Sequence, residues 1–160
     1  METLSYKPIG VIHSPFRDVK GMPIQPAGAE GVVGSVEIEA EYAAGLKDIE
    51  GFSHIILIYH FHLSEGYSLE VKPFLDDQFH GVFATRAPTR PNAIGMSVVR
   101  LLTVQGRVMR DADVDIVDGT PLLDVKPYVP EFDVRKTKQI GWLSKTRCRV
   151  RDVRADERFR

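Results

Sequence analysis

The sequence predicts a mainly β protein, a closed or nearly closed β-barrel with short helices. Three observations point there. Apolar residues recur at every second position over many short segments, which is the period of a half-buried strand. Clusters of Gly, Pro, Asn and Asp separate these segments at short intervals. Helical spacing is confined to short stretches. Many short strands with few helices are accommodated by a sheet that closes on itself and so loses its edges.

The elements follow in order along the chain. Lys7–His13 (KPIGVIH) reads as a strand stopped by Ser14-Pro15. Lys20–Gly31 carries two prolines and three glycines and reads as a loop. Val32–Glu39 alternates, with Val36 and Ile38 on one face and Glu37 and Glu39 on the other. Glu41–Ile49 places Tyr42, Leu46 and Ile49 at helical spacing. Phe52–Leu63 (FSHIILIYHFHL) predicts a long strand whose even positions, His54 to His62, share a partly core face. Gly81–Thr85 predicts a strand entering the segment TRAPTRPNAIG. Met96–Val104 predicts another leaving it, apolar on both faces and therefore central. Val114–Val117 and Leu122–Lys126 flank a turn at Asp118-Gly119-Thr120-Pro121. Arg147–Arg151 alternates again, with the arginines on one face and Cys148 and Val150 on the other.

A chain of 160 residues that is 43% hydrophobic can build one well-filled domain. Residues 1–134 form the expected barrel domain, and 135–160 a basic segment packing on or extending it. No apolar run is long enough to span a bilayer, and the N-terminus has no signal-peptide pattern. Cys148 is the only cysteine, which excludes an intrachain disulfide and fits a reducing cytoplasm. Net charge is −1, but residues 135–160 carry +7 and residues 1–134 carry −8. A cationic end on an acidic body suits a polyanionic partner such as nucleic acid; the alternative is a solubilising tail.

The segment Thr85–Gly95 holds the most specific chemistry. Pro88 and Pro91 fix their own φ and push Ala87 and Arg90 toward extended backbone. Arg86 and Arg90 are thereby presented on a stiff loop, suited to a carboxylate or phosphate. Asn92 adds an amide able to read a polar ring edge. The alternative is a rigid connection whose arginines pair with surface acids. His60-x-His62 has a spacing that binds zinc, but no cysteine or third ligand lies nearby, so no metal is expected. A strand-end histidine that touches a ligand or a backbone carbonyl is the favoured reading. Asp111, Asp113 and Asp115 begin like a calcium loop, yet Ile116 replaces the turn glycine and Leu122 the closing glutamate. Carboxylates there could accept ribose hydroxyls or cap the turn. No phosphate-loop, G-x-G-x-x-G or G-x-S-x-G pattern is present.

GVFATRAPTRPNAIGMSVVRL (Gly81–Leu101), DIVDGTPLLDVKPYVPEFD (Asp115–Asp133), YKPIGVIHSPF and EGFSHIILIYHFH, all in order, resemble the TsaA/TrmO-like family of S-adenosylmethionine-dependent tRNA methyltransferases. The resemblance implies a β-barrel unlike the Rossmann methyltransferases, a homodimer, and bound S-adenosyl-L-methionine. It implies N6-methylation of threonylcarbamoyl-adenosine beside the tRNA anticodon. By position, it implies cofactor contacts at Pro23, Ile24, Gln25, His62, Leu63, Arg86, Met96, Asp115, Ile116, Val117 and Asp118. Arg86 then suits the cofactor's carboxylate, Asp115 or Asp118 its ribose or cation, and Ile24, Leu63 and Met96 an adenine slot. Arg90, Asn92, Trp142, Arg147, Arg149 and Arg151 are the RNA-binding candidates, with Trp142 available to stack a base. The sequence departs from the family in Ile24, where arginine is usual, and in Ala87, where serine is common. Larger bacterial members also carry a further C-terminal domain that has no counterpart in this sequence. The rival readings are a cofactor-binding module without methyl transfer, a methyltransferase for another acceptor, and a nucleic-acid-binding barrel with no cofactor.

Overall fold

A computed structural model describes residues 2–145, 151–156 and 158–159. Six antiparallel strands close into a barrel: β1 (Gly10–His13), β2 (Val33–Ile38), β3 (His54–His60), β6 (Ile94–Gln105), β7 (Val108–Ala112) and β8 (Thr120–Pro127). The order around the barrel is β1-β2-β7-β6-β3-β8. A separate two-stranded sheet pairs β4 (Glu70–Val71) with β5 (His80–Gly81). One α-helical turn, α1 (Pro130–Asp133), follows the barrel.

Period two builds the interior. Ile12, Val36, Ile38, Ile55, Leu57, Val99, Met109 and Leu122 point inward, and none is more than 3% exposed. Burying each such side chain stabilises the fold by roughly 1.5–3 kcal/mol. A second apolar cluster joins Val71, Val82, Ala87 and Phe159 beside the small sheet. Phe159 meets Phe74 edge-on at 5.0 Å between ring centroids. Residues 151–156 return to the barrel body through Gly21 N–H to Ala155 O (2.7 Å) and Ala155 N–H to Met22 O (2.9 Å).

Several elements differ from the sequence reading. On β3 the core face is the odd set, Ile55, Leu57 and Tyr59; the even set lies on the outer, half-buried face. The alternation was legible but both faces are apolar enough to be exchanged. Residues 41–49 form 3-10 turns rather than one helix, because Asp48 turns left-handed at φ 68°. Tyr42, Leu46 and Ile49 still pack on the core. After His80–Gly81 the chain enters a 3-10 turn at Val82–Ala84, so Gly81–Thr85 is not a strand. Val114–Val117 is irregular, entered through Asp113 at φ 68°. The strand of that region is β7, which the sequence reading did not find. It follows β6 through Gly106-Arg107, with Gly106 at φ 60° as a two-residue hairpin turn with glycine first requires. Asp111 occupies its interior row and hides the apolar alternation. Of the alternating stretch Arg147–Arg151, residues 147–150 lie outside the described residues.

Candidate active site

The strand registers gather one end of the barrel. Tyr59, at the C-terminal end of β3, pairs with Gly95 at the start of β6 and Leu122 at the start of β8. Ile12, at the end of β1, pairs with Thr120. Beyond these ends a cleft of about 1080 Å³ opens. Its walls come from the 19–27 loop, the end of β3, the 83–96 segment, the 115–117 segment and C-terminal residues including Trp142 and Phe159. That volume lies just above the usual span of small-molecule and cofactor pockets, roughly 300–1,000 Å³, and leaves room for a cofactor.

Two loops face each other across the cleft through Arg86, whose Nη1 donates to Gln25 Oε1 at 3.0 Å. The proline-stiffened loop is also braced from within. Arg90 Nη1 donates to the carbonyls of Thr85 (3.1 Å) and Ala87 (3.5 Å). Arg90 N–H reaches Pro88 O at 2.8 Å, and Thr85 Oγ1 donates to Val82 O at 2.9 Å. The two arginines therefore divide the work. Arg86 crosses the cleft, while Arg90 lines it with a guanidinium committed to its own loop.

At the cleft floor a hydroxyl chain leads to a carboxyl. Ser97 Oγ donates to Asp115 Oδ1 at 2.7 Å and lies 3.0 Å from Tyr59 Oη. With the Ser97 hydrogen spent on Asp115, the Tyr59 phenol is the donor of that second bond. Tyr59 is 5% exposed and Ser97 2%. Burial pushes the Asp115 carboxyl up to about 6, against the lowering effects of Ser97 and the Arg86 charge. Burial, with Asp115 beside it, pushes the Tyr59 phenol well above its ordinary range. The floor thus offers a buried carboxyl anchored by a hydroxyl, with a guanidinium in electrostatic range.

His62 lines the cleft in the turn after β3. Its Nδ1 lies 3.3 Å from Thr120 Oγ1, and Thr120 Oγ1 donates to Val117 O at 2.7 Å. Burial lowers the His62 imidazole below its ordinary value, and His60 adds to this. His60 itself is exposed at the end of β3, so the two histidines do not converge. Among the described residues no group of three or more His, Cys, Asp or Glu side chains is gathered at metal-binding range.

Of the cofactor residues expected from sequence, Pro23, Ile24, Gln25, His62, Leu63, Arg86, Met96, Asp115, Ile116 and Val117 line this one cleft. Asp118 does not. Its carboxylate accepts from Ser14 N–H (3.1 Å) and Arg17 Nη1 (2.7 Å), with His13 at 3.3 Å. The Ser14 amide, Arg17 and His13 hold it below the usual carboxylate range. Asp118 therefore pins the end of β1 to the turn before β8.

The RNA candidates divide likewise. Arg90, Asn92 and Trp142 line the cleft. Trp142 stacks on His80 at 4.6 Å and 16° between planes, and its Nε1 donates to Ala84 O at 2.9 Å. Arg151 is exposed and stands outside the cleft lining; Arg147 and Arg149 lie outside the described residues. Sequence reasoning missed Tyr59, Ser97 and Thr120. Ser97 had a signal, as the one hydroxyl in the interior row Gly95, Ser97, Val99 of β6.

Fold and cleft together define a closed-barrel protein that receives, at one end of its barrel, a ligand with charged and apolar parts. Residues 11–134 match the tRNA-methyltransferase O N-terminal domain, and the chain belongs to that family. It is 57% identical over 156 residues to a probable S-adenosyl-L-methionine-binding protein of Pyrococcus abyssi, covering 98% of this chain and 85% of that one. It is 36% identical over 140 residues to the tRNA (adenine(37)-N6)-methyltransferase of Escherichia coli, covering 81% of this chain and 60% of the enzyme. A crystal structure of TrmO from Pseudomonas aeruginosa superposes with a TM-score of 0.74 at 36% identity, covering 88% of this chain and 63% of that one. The chain thus spans less than two thirds of those two bacterial proteins.

Proposed function

We propose that this protein is an S-adenosylmethionine-dependent methyltransferase that acts on the N6 of an adenosine in tRNA. The carrying observation is the single cleft in which Arg86, the Ser97-bound Asp115 and an apolar wall of Ile24, Leu63 and Met96 meet. The residues fit the cofactor's chemistry. A guanidinium suits its carboxylate, a buried carboxyl its cationic groups, and the apolar wall its adenine. Ile24 adds an apolar side chain to the Pro23–Gln25 wall, which Arg86 reaches from across the cleft through Gln25.

Bound there, S-adenosylmethionine supplies an electrophilic methyl on a sulfonium sulfur. The protein's part is alignment. Arg86 and Gln25 fix the distance between two walls, and the Tyr59–Ser97–Asp115 chain fixes the carboxyl. Alignment of nucleophile, methyl and leaving sulfur gives methyl transfer most of its acceleration. The acceptor we assign is threonylcarbamoyl-adenosine next to the anticodon, with the cytoplasm as the compartment and a homodimer as the working form. Supporting the dimer, Leu63, Phe83, Ile94 and Met96 line the cleft and are each 42% to 76% exposed, an apolar mouth that a second copy would cover.

The test is methyl-labelled S-adenosylmethionine with total tRNA from cells with and without threonylcarbamoyl modification. Label confined to the modified pool supports the assignment. Label in both pools keeps the methyltransferase and changes the acceptor. Tight cofactor binding with no label in any RNA favours a binding module, the role named for the Pyrococcus relative.

A further inference from the structure

We propose that His62 is the proton acceptor of the methyl transfer, held by Thr120 in the one tautomer that leaves its Nε2 lone pair free. The inference rests on the methyltransferase reading above and adds the residue that completes its proton balance. In the reaction the N6 lone pair forms the new N–C bond. The C–S bond breaks with its electron pair going to sulfur. N6 then carries one hydrogen too many for a neutral amine or urea, and that proton needs an acceptor within the cleft.

Few groups in the cleft qualify. The arginines hold their protons throughout. The phenol of Tyr59 is committed as a donor to Ser97. Asp156 is engaged by Arg158 from Nε (2.9 Å) and Nη2 (2.7 Å). Asp115 accepts from Ser97 and is in electrostatic range of Arg86, the arrangement of a counter-charge for a cationic ligand. A proton on Asp115 would weaken that hold. His62 is the remaining base.

Its tautomer follows from hydrogen counting. The Val117 carbonyl has no hydrogen, so the Thr120 hydroxyl must donate to it across 2.7 Å. Thr120 Oγ1 then has only lone pairs to offer His62, so Nδ1 at 3.3 Å carries the ring hydrogen. In the neutral ring Nε2 is therefore the bare nitrogen, and it has no hydrogen-bond partner among the described residues. The strand ends make this possible. His62 sits in the turn just after β3, and Thr120 is the first residue of β8 beside it. The titratable groups around the imidazole are His60 on its own strand end and, around the cleft, Tyr59, Arg86, Arg90, Asp115 and Asp156. Burial, with His60 adding to it, favours the neutral ring. After transfer the proton sits on Nε2 as imidazolium and returns to solvent.

The first measurement needs no turnover. Long-range 1H–15N spectra of the cofactor-free protein at pH 8, assigned by comparison with His62→Gln, should show Nδ1 protonated and Nε2 bare. Thr120→Val should shift the ring toward the opposite tautomer, and Thr120→Ser should keep it. The second measurement is single-turnover methyl transfer at saturating cofactor. His62→Gln should lose roughly 100-fold or more in rate, a loss that saturation with cofactor does not restore, the sign of a role in the proton step beyond any contribution to binding. Thr120→Val should be slowed, and Thr120→Ser restored. A protonated Nε2 in the wild-type protein, an undiminished rate in His62→Gln, or a loss seen instead in Asp115→Asn with binding intact would each overturn the proposal. If the wild-type protein binds cofactor and methylates no RNA, the methyltransferase reading falls and takes this proposal with it. If the wild type methylates and His62→Gln keeps pace, only the role of His62 falls.

Discussion

Gly95 stands directly opposite Tyr59 across the β3–β6 ladder, and the lack of a side chain at Gly95 gives the Tyr59 ring its place over the barrel end. A Cβ on residue 95 would lie 2.5 Å from Tyr59 Cζ and 2.8 Å from Phe61 Cζ. From that place the phenol reaches Ser97, and Ser97 reaches Asp115. A glycine in one strand thus decides where a carboxyl sits two segments away.

Gly95→Ala should therefore be felt at the cleft as well as in the fold. Overpacking of this kind costs about 1–3 kcal/mol. Denaturant melts should show that loss, and calorimetry should show weaker S-adenosylmethionine binding because Asp115 loses its anchored partner. Unchanged cofactor affinity in a destabilised Gly95→Ala protein would separate the hydroxyl chain from the ligand site.

The Arg86–Gln25 bridge makes a second prediction. Arg86→Ala removes both the link between the walls and the proposed carboxylate partner. Hydrogen bonds to charged groups contribute about 1.5–3 kcal/mol, so the dissociation constant for the cofactor should rise roughly 10- to 100-fold. Gln25→Ala removes only the link and should cost less. Equal losses in the two variants would show that the bridge, not the charge, holds the ligand.

Asp111 supplies a pH test. Its side chain is 0% exposed, neither carboxyl oxygen has a hydrogen-bond partner among the described residues, and burial raises it from 3.8 to about 7. Because the folded value exceeds the unfolded one, protonation favours the folded chain. Its contribution is full below about pH 4 and is lost as the pH rises through 7. Asp111→Asn should stabilise the protein by on the order of 2–4 kcal/mol at pH 8 and by almost nothing at pH 4. Thermal melts at the two pH values check this; a gain of equal size at both would mean that packing rather than charge is responsible.

The segment 135–145 carries Arg135, Lys136, Lys138 and Lys145 with no acidic residue, and it leads to Trp142 at the cleft. Replacing Arg135, Lys136 and Lys138 with glutamine should flatten the dependence of log affinity for tRNA on log salt by about 2, at ~0.7 per single-strand phosphate contact. Trp142→Ala should instead weaken binding by about 1–3 kcal/mol at every salt concentration, as lost stacking does. Filter binding over a salt series distinguishes them. A slope untouched by the triple replacement would make the segment a solubilising one.

The barrel was legible in the sequence because its interior rows are almost purely aliphatic, and period two survives in Val36–Ile38 and along β6. β7 escaped because Asp111 interrupts its row, and the face of β3 was inverted because Ile56 and Ile58 on the outside are as apolar as Ile55 and Leu57 within. The cleft was legible where stiffness and charge coincide, at Arg86 and Arg90 on the segment braced by Pro88 and Pro91. It was illegible where function depends on hydrogen counting. Thr120 and Ser97 are ordinary strand residues until the registers place them beside His62 and Tyr59. Asp118 was likewise illegible in its bonding. Its position in a turn suggests a free carboxylate, and only the return of β1 supplies Ser14 and Arg17 to occupy it.

The guanidinium of Arg90, folded back onto Thr85 and Ala87, finishes the rim of the cleft before any guest arrives. A rim completed in advance discriminates by shape and accommodates little. Analogues widened near Pro88 or Pro91 should be turned away at the threshold.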